Sequence, residues 1–420
     1  MNAKLISPTA IAAAAAQYDP SLLLALETSK AAPEPRRRIR LPKGEAGAAL
    51  LLMAAVLLAL AWSNAPWGAT YEAFWHARVA LTAGPWTLGA DLRTWIDEGL
   101  MTLFFLVVGL EAKHERDLGE LRDGRRLTVP VLAGLGGMAA SAAVYVAITA
   151  RTGAGGWGVA LSTDTALALG ALSIATRDTR LRAFMLTLLV VDDVVALLVV
   201  SFVYPSRIDP AAVAVAAALL ALLLTLRFVA GRQFRARGTS TAVFTPLSVV
   251  TGVALWLALF ESGIDPVVTG LVVGLLTNAY APRPAGPAPI SPNDRLQHRF
   301  HPWTSLVVVP VFALANAGLH IDGHLLAAAA ASPVTWGIVL AYLVGKPLGI
   351  ALAGRARLGT GLAAGAGFTA SLLIASRAFD GALLDQAKLG ILVTALAAPA
   401  LSVAALRLRR PVLATPCPAR

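Results

Sequence analysis

The chain has 420 residues, of which 57% are hydrophobic and only 14% are charged. A soluble globular domain carries roughly a quarter charged residues, so this composition excludes that class and indicates a membrane protein. The formal net charge of +11 does not indicate nucleic-acid binding, because the basic residues lie in short clusters between apolar segments. Cys417 is the single cysteine, so an intramolecular disulfide is impossible and a metal cluster is not expected.

The N-terminal residues 1–44 join an alanine-rich stretch to the arginine run that begins at Arg36. A secretory signal places its positive charge before the apolar region, and here the order is reversed. We therefore predict a disordered, basic cytoplasmic tail.

Uncharged apolar segments then follow one another from residue 45 to residue 410. Each is near the ~20 residues that a helix needs to cross hydrocarbon, whereas barrel strands would be shorter and would alternate. The pattern predicts an all-α polytopic transmembrane domain over 45–410, with a cytoplasmic C-terminal tail at 411–420. About twelve spans are predicted, at 46–64, 96–112, 127–149, 157–175, 183–203, 211–229, 243–260, 266–281, 302–318, 334–354, 360–377 and 387–406.

Lysine and arginine fall mainly in the tail before the first span, in alternate loops and at the C-terminus. Because basic residues favour the cytoplasmic side, both termini are predicted to be cytoplasmic. The outer loop 63–95 is the longest, and its segment Val79 to Leu88 has two short apolar runs around Gly84 and Pro85. This pattern predicts a small β-hairpin.

Ionisable residues inside spans are costly, so each is a functional candidate. Asp164, Asp192, Asp193 and Lys346 lie within predicted spans, as three acids and one base. Adjacent aspartates on a helix point about 100° apart, so the two can have different roles. Asp193, Asp164 and Thr163 offer oxygens of the kind that hard cations bind, and protons compete for the same oxygens. The sequence therefore predicts a site that binds a cation and protons alternately. A second interpretation is that Lys346 and Asp192 form a static ion pair.

Two spans are interrupted in pattern. Ser162 to Thr165 competes for backbone hydrogen bonds, and the stretch from Gly361 to Ser371 carries three glycines within seven residues. Broken helices at matching places in two halves indicate a transport site. We therefore predict an inverted-topology repeat of spans 3 to 5 and 10 to 12, with spans 4 and 11 discontinuous and crossing near mid-membrane. Alternatively, the glycines serve close helix packing.

Several strings occur together along residues 46–410: FFLVVGLEAK (104–113), Thr163-Asp164, Asp192-Asp193, HPW (301–303), FALANAG (312–318), GKPLG (345–349) and GAGFT (365–369). In these strings the sequence resembles the NhaA-type sodium/proton antiporters. The resemblance implies that Asp192 and Asp193 bind ions and protons, with Asp193 the principal ligand of transported Na⁺. It also implies that Lys346 pairs with Asp192, and that Asp164 and Thr163 line the helix crossing.

The same resemblance implies a secondary active transporter and not an enzyme. Cytoplasmic Na⁺ or Li⁺ would be exchanged electrogenically for external protons in the bacterial inner membrane, regulating intracellular pH and sodium. No cofactor is implied, and the outer hairpin would join a homodimer.

A pH-sensing region is also implied at the cytoplasmic end, with the candidates Glu111, Lys113, His114, Glu115, His298 and His301. The chain departs from the common family pattern at His114, Gln297 and Asp265, where arginine, glutamate and histidine are expected. Histidines titrate in the relevant range, but a loop histidine is more often a solvated or capping group. The pH of activation therefore does not follow from the resemblance.

Three rival classes fit less well. An intramembrane aspartyl protease would carry Tyr-Asp and Gly-x-Gly-Asp motifs, which do not occur at these aspartates. A symporter of organic solutes would need a larger polar cavity, and Asn316 is the chief amide within the spans. An ion channel would need a continuous pore and a filter.

Overall fold

A computed structural model describes residues 45–408 except 84–85, 119–123, 153–154, 206–207, 238–243, 281–290 and 355–357. These residues belong to one unit of the chain, Gly44–Arg420. The predicted tails at 1–44 and 411–420 lie outside the described residues.

The described chain is almost entirely helical. Its α-helices are α1 Glu45–Ser63, α2 Ala69–Trp75, α3 Met101–Asp117, α4 Gly124–Thr149, α5 Thr165–Ala175, α6 Thr179–Val203, α7 Pro210–Arg237, α8 Phe244–Ser262, α9 Val268–Leu276, α10 Pro292–Trp303, α11 Val309–Asn316, α12 Gly323–Ala331, α13 Pro333–Leu340, α14 Lys346–Gly354, α15 Leu358–Ala364, α16 Thr369–Ala378 and α17 Gly381–Leu408. Short elements lie between them: a turn at Leu92–Thr94, a 3-10 helix at Trp157–Ala160 and π-helical segments at Trp95–Leu100, Thr304–Val308 and Ala341–Gly345. The last two π segments join α10 to α11 and α13 to α14.

Seven helices among the described residues are long and apolar enough to cross a membrane, counting the 3-10 helix with α5 and α13 with α14. The bent pair α15 and α16, which meet at 57°, would make an eighth. The all-α polytopic class is therefore confirmed, but the count of twelve is not reached by these criteria. The predicted span 266–281 contains the short helix α9, of 9 residues, and the predicted span 302–318 is divided among the end of α10, a π segment and α11, of 8 residues.

The loop between α2 and α3 contains two antiparallel strands, β1 Arg78–Ala83 and β2 Trp86–Asp91. Arg78 lies opposite Asp91, and Ala83 lies opposite Trp86. Asp91 then caps the following turn, because its side chain accepts a hydrogen bond from the Thr94 N–H at 2.8 Å. The strand pair is thus connected directly to the helical run that becomes α3.

Helices α4 and α14 pack closely because small residues face each other. A Cβ on Gly349 would lie 2.2 Å from the Gly136 carbonyl oxygen, so only glycine fits at this contact. The Lys346 Cγ lies 3.4 Å from the ideal Cβ position of Gly137. This close approach buries the first residue of α14, Lys346, against α4.

Candidate ion-binding site

Helix α6 carries the adjacent acids Asp192 and Asp193 in its apolar interior. The helix begins after Asp178, whose side chain accepts hydrogen bonds from Arg180 N at 3.0 Å and Leu181 N at 3.3 Å. Both acids are buried. They contact different partners, as their angular separation on the helix requires.

Asp192 is paired with Lys346. The Lys346 Nζ lies 2.7 Å from Asp192 Oδ2, and both side chains are 0% exposed. Lys346 also donates to Thr163 Oγ1 at 2.6 Å and to the Leu161 carbonyl. Lys346 and Asp192, which were predicted to pair, thus lie within ion-pair distance of each other.

The Thr163 hydroxyl connects this ion pair to the end of α15, just before the interruption between α15 and α16. Its oxygen lies 2.8 Å from Asp192 Oδ2 and 2.7 Å from the Ala364 carbonyl oxygen, so its single proton serves one acceptor at a time. The other oxygen of Asp192, Oδ1, is buried without a hydrogen-bond partner among the described residues. Asp192 therefore has one oxygen, Oδ2, that contacts both Lys346 and Thr163, and one oxygen, Oδ1, that is available to a ligand.

Asp193 is held much more loosely. Its contacts are long hydrogen bonds from Ser162 Oγ at 3.3 Å and from Thr165 Oγ1 at 3.5 Å. No Lys, Arg or His lies within ion-pair distance of it in the described part of the chain. A buried carboxylate in this position is unpaired, and a cation or a proton would lower the cost of burying it.

Asp164 lies where two interrupted helices meet. It is the N-cap of α5, accepting from Leu167 N at 3.1 Å, and its second oxygen lies 3.4 Å from Thr369 N at the start of α16. Its own N–H donates to the Ala366 carbonyl at 2.7 Å. One carboxylate thus serves two helix N-termini, where partial positive charge favours an anion.

The structure therefore brings together Thr163, Asp164, Asp192, Asp193 and Lys346, which were predicted for the central site, and adds Ser162 through its contact with Asp193. We call this set the central cluster: Ser162, Thr163, Asp164, Asp192, Asp193 and Lys346. Its charged members are three acids and one base, all buried. Among the described residues, no group of three or more His, Cys, Asp and Glu side chains is arranged to hold a metal ion. The oxygens around Asp193 are instead hydroxyls.

A model of the family described as Na⁺/H⁺ antiporter 1 matches residues 40–406. The chain belongs to this family. As a Na⁺/H⁺ antiporter 1 family member with seven long apolar helices among its described residues, it is a multi-pass membrane protein, and its family consists of transporters rather than enzymes. The resemblance seen in the sequence is confirmed.

Three relatives illustrate the match. Na(+)/H(+) antiporter NhaA 1 of Salinispora arenicola is 45% identical over 401 residues, covering 84% of this chain and 60% of the relative. Na(+)/H(+) antiporter NhaA 3 of Frankia alni is 38% identical over 430 residues, covering 88% and 90%. Na(+)/H(+) antiporter NhaA of Acidovorax sp. is 38% identical over 378 residues, covering 84% and 88%. The chain thus spans 60% of the Salinispora arenicola relative and about nine tenths of the other two.

Most of the candidate pH-sensing residues of this family member lie where the end of α3 meets α10. The two helices are joined by Asn293, whose side chain donates to the Leu110 carbonyl at 3.0 Å, and Gln297 in turn donates to Asn293 at 2.7 Å. Gln297, noted as a departure in the sequence, is thus part of this contact.

The charged candidates at this contact make few direct interactions. His114 Nδ1 lies 3.2 Å from Asp294 Oδ1 without hydrogen-bond geometry, and His301 lies 4.0 Å from Glu111. Lys113 pairs with Asp117 in its own helix at 3.0 Å. Glu115 is partly exposed and His298 is exposed. The structure therefore brings Glu111 and His301 near each other, whereas Lys113 pairs locally.

A second group of charges, of which Glu98 and Asp265 are buried and Asp97 and Arg377 partly buried, was missed by the sequence reasoning. Arg377, in the last turn of α16, donates to Glu98 Oε1 at 2.7 Å and lies 3.9 Å from Asp265 Oδ2. Next to Glu98, Asp97 accepts a hydrogen bond from Asn316 at 2.6 Å. Glu98 and Asp97 lie at the edge of a predicted span, where carboxylates are common. Their sequence position therefore does not distinguish them from ordinary surface carboxylates, whereas their contacts with Arg377 and Asn316 in the structure do.

Proposed function

We propose that this protein exchanges Na⁺ or Li⁺ for protons, with Asp193 as the principal cation ligand. The observation that carries the proposal is the difference between the two adjacent acids. Asp192 is neutralised by Lys346 at 2.7 Å, while Asp193 has only two long hydroxyl contacts. The names of the relatives, which are Na⁺/H⁺ antiporters, support the same exchange.

The charge balance explains how one site can serve two ions. With Asp192 paired to Lys346, the remaining acids of the central cluster are Asp193 and Asp164. Asp164 is stabilised by two helix N-termini, so it can stay ionised without a cation. Asp193 has no such compensation, and it is the group at which Na⁺ and a proton would exclude each other. In this scheme the hydroxyls of Ser162 and Thr165 add oxygens to the cation.

Further parts of the proposal rest on the family resemblance. We infer electrogenic exchange of cytoplasmic Na⁺ for external protons in the bacterial inner membrane, with both termini in the cytoplasm. The breaks at Leu161 to Asp164 and Gly365 to Phe368 support two discontinuous helices within an inverted repeat, in a bundle of twelve spans. The pair of strands β1 and β2 would mediate a homodimer, and the α3 and α10 contact would sense pH.

Everted membrane vesicles test the exchange directly. A proton gradient is established by respiration, and the release of fluorescence quenching is followed after adding Na⁺, Li⁺ or K⁺ over a range of pH. The unmodified protein should respond to Na⁺ or Li⁺, and the apparent KM for Na⁺ should rise as the pH falls, because protons compete for Asp193. Asp193→Asn and Asp192→Asn should abolish the response.

The matched control is Asp322→Asn. Asp322 is an exposed N-cap of α12 outside the central cluster, and asparagine caps helices equally well, so this variant loses one acid and keeps its structural role. All variants are compared at equal membrane content. Normal exchange in a double variant of Asp192 and Asp193 would exclude the proposed site.

A further inference from the structure

The hydroxyl of Tyr342 connects the two interrupted helices. Tyr342 is fully buried in the π-helical segment Ala341–Gly345, four residues before Lys346. Its hydroxyl oxygen lies 2.6 Å from the Val159 carbonyl oxygen and 2.8 Å from the Ser162 carbonyl oxygen. It also makes a short hydrogen bond with Ser371 Oγ in the first turn of α16.

The donors and acceptors determine how these bonds are shared. A tyrosine hydroxyl has one proton, and both carbonyl oxygens can only accept. Tyr342 therefore donates to Val159 or to Ser162, and Ser371 donates to the Tyr342 oxygen. The Ser162 carbonyl lies in the irregular stretch before α5, where no regular helical hydrogen bond is formed. Tyr342 thus provides a donor that the broken helix lacks.

The ring of Tyr342 fills space at the second break. A Cβ on Gly367 would lie 2.1 Å from the ring carbon that bears the hydroxyl, and a Cβ on Gly365 would lie 2.4 Å from the Tyr342 carbonyl oxygen. Tyr342 is therefore hydrogen-bonded to the segment before α5 and packed against the glycines between α15 and α16. This contact also shows that the glycines of the GAGFT string permit close packing.

We propose that Tyr342 is a positioning residue for cation binding, an inference that rests on the proposed function of Asp193. Tyr342 holds the Ser162 backbone, and the Ser162 hydroxyl is one of the two contacts of Asp193. A bound cation needs several oxygens at fixed spacing, whereas a proton needs a single oxygen. Loss of the Tyr342 hydroxyl therefore weakens cation binding more than the proton-dependent steps.

The test is Tyr342→Phe in the vesicle assay, at a fixed pH at which the unmodified protein is active. The apparent KM for Na⁺ should rise about tenfold, and the maximal rate at saturating Na⁺ should stay within about twofold. A general loss of structure would lower the maximal rate at constant KM, because fewer molecules would be active. The KM and the maximal rate therefore separate positioning from stability.

Tyr145→Phe is the matched control. Tyr145 is also fully buried, but its hydroxyl has no hydrogen-bond partner among the described residues. The control should keep the KM of the unmodified protein. A KM for Tyr342→Phe within about twofold of the control would overturn the inference, provided that the unmodified protein exchanges Na⁺ for protons. Absence of exchange in the unmodified protein would instead refute the proposed function.

Ser371→Ala is a second variant, in case Tyr342→Phe does not insert. It removes only the bond between Tyr342 and α16, so the KM should rise by about threefold. An unchanged KM in Ser371→Ala would contradict the inference. Where both single variants insert, the double variant should be no worse than Tyr342→Phe alone, because both changes remove the same hydrogen bond.

Discussion

Lys346 Nζ lies 2.7 Å from Asp192 Oδ2, and neither side chain is exposed. Removing one member of a buried ion pair leaves the other charge uncompensated, at a cost of about 3–5 kcal/mol. We therefore expect Lys346→Ala to lower the free energy of unfolding by this amount, measured by thermal or denaturant unfolding of purified protein in detergent. The apparent KM of this variant for Na⁺ in the vesicle assay should rise as well.

The double variant Lys346→Met with Asp192→Leu is the control for this pair. It removes both members of the pair and so creates no new unpaired charge, and it should recover much of the stability while remaining unable to exchange ions. Equal stability of Lys346→Ala and the unmodified protein would show that the ion pair has no structural role.

Asp164 should show a difference between its alanine and asparagine variants. Asp164→Ala removes the acceptor for Leu167 N and Thr369 N, and loss of an N-cap costs about 1 kcal/mol. Asp164→Asn keeps one acceptor oxygen and should be closer to the unmodified protein in unfolding midpoint. Identical midpoints for the two variants would argue against the capping role.

Gly367 should not tolerate a methyl group. An added Cβ would meet the Tyr342 ring at 2.1 Å, and overpacking of this kind costs about 1–3 kcal/mol. Gly367→Ala should therefore lower the unfolding midpoint and the amount of folded protein in the membrane. Gly323→Ala is the matched control, because a Cβ there meets nothing within 4 Å. Similar losses in both variants would contradict the packing argument.

Arg377 and Glu98 should be coupled energetically. The two side chains are mostly buried and lie 2.7 Å apart, so a double-mutant cycle with Arg377→Gln and Glu98→Gln should give a coupling of about 0.5–3 kcal/mol. The measurement is the unfolding midpoint of the four proteins in detergent. The cycle of Arg93 and Glu72, a pair 3.0 Å apart with Glu72 half exposed, should give a smaller coupling. Additive effects in the first cycle would exclude an interaction.

The membrane class and the charged residues of the central cluster could be predicted from the sequence because both depend on local features. Long apolar segments indicate helices in a membrane wherever they occur, and an acid or a base within such a segment is conspicuous whatever surrounds it. Asp164, Asp192, Asp193 and Lys346 were identified in this way. The number of spans does not follow from apolarity in the same way, because a π segment and prolines divide α10 from α11 at places that apolarity alone does not mark.

Only the tertiary structure decided which residues contact one another by hydrogen bonds and ion pairs. Thr163 lies between Lys346 and the Ala364 carbonyl, and Glu98 meets Arg377 across 279 residues of sequence. Such pairs depend on which helices pack together and at what distance, as in the close approach of α4 to α14. A hydrogen bond requires atoms within about 3 Å of each other, and no pattern along the chain specifies that distance for residues so far apart.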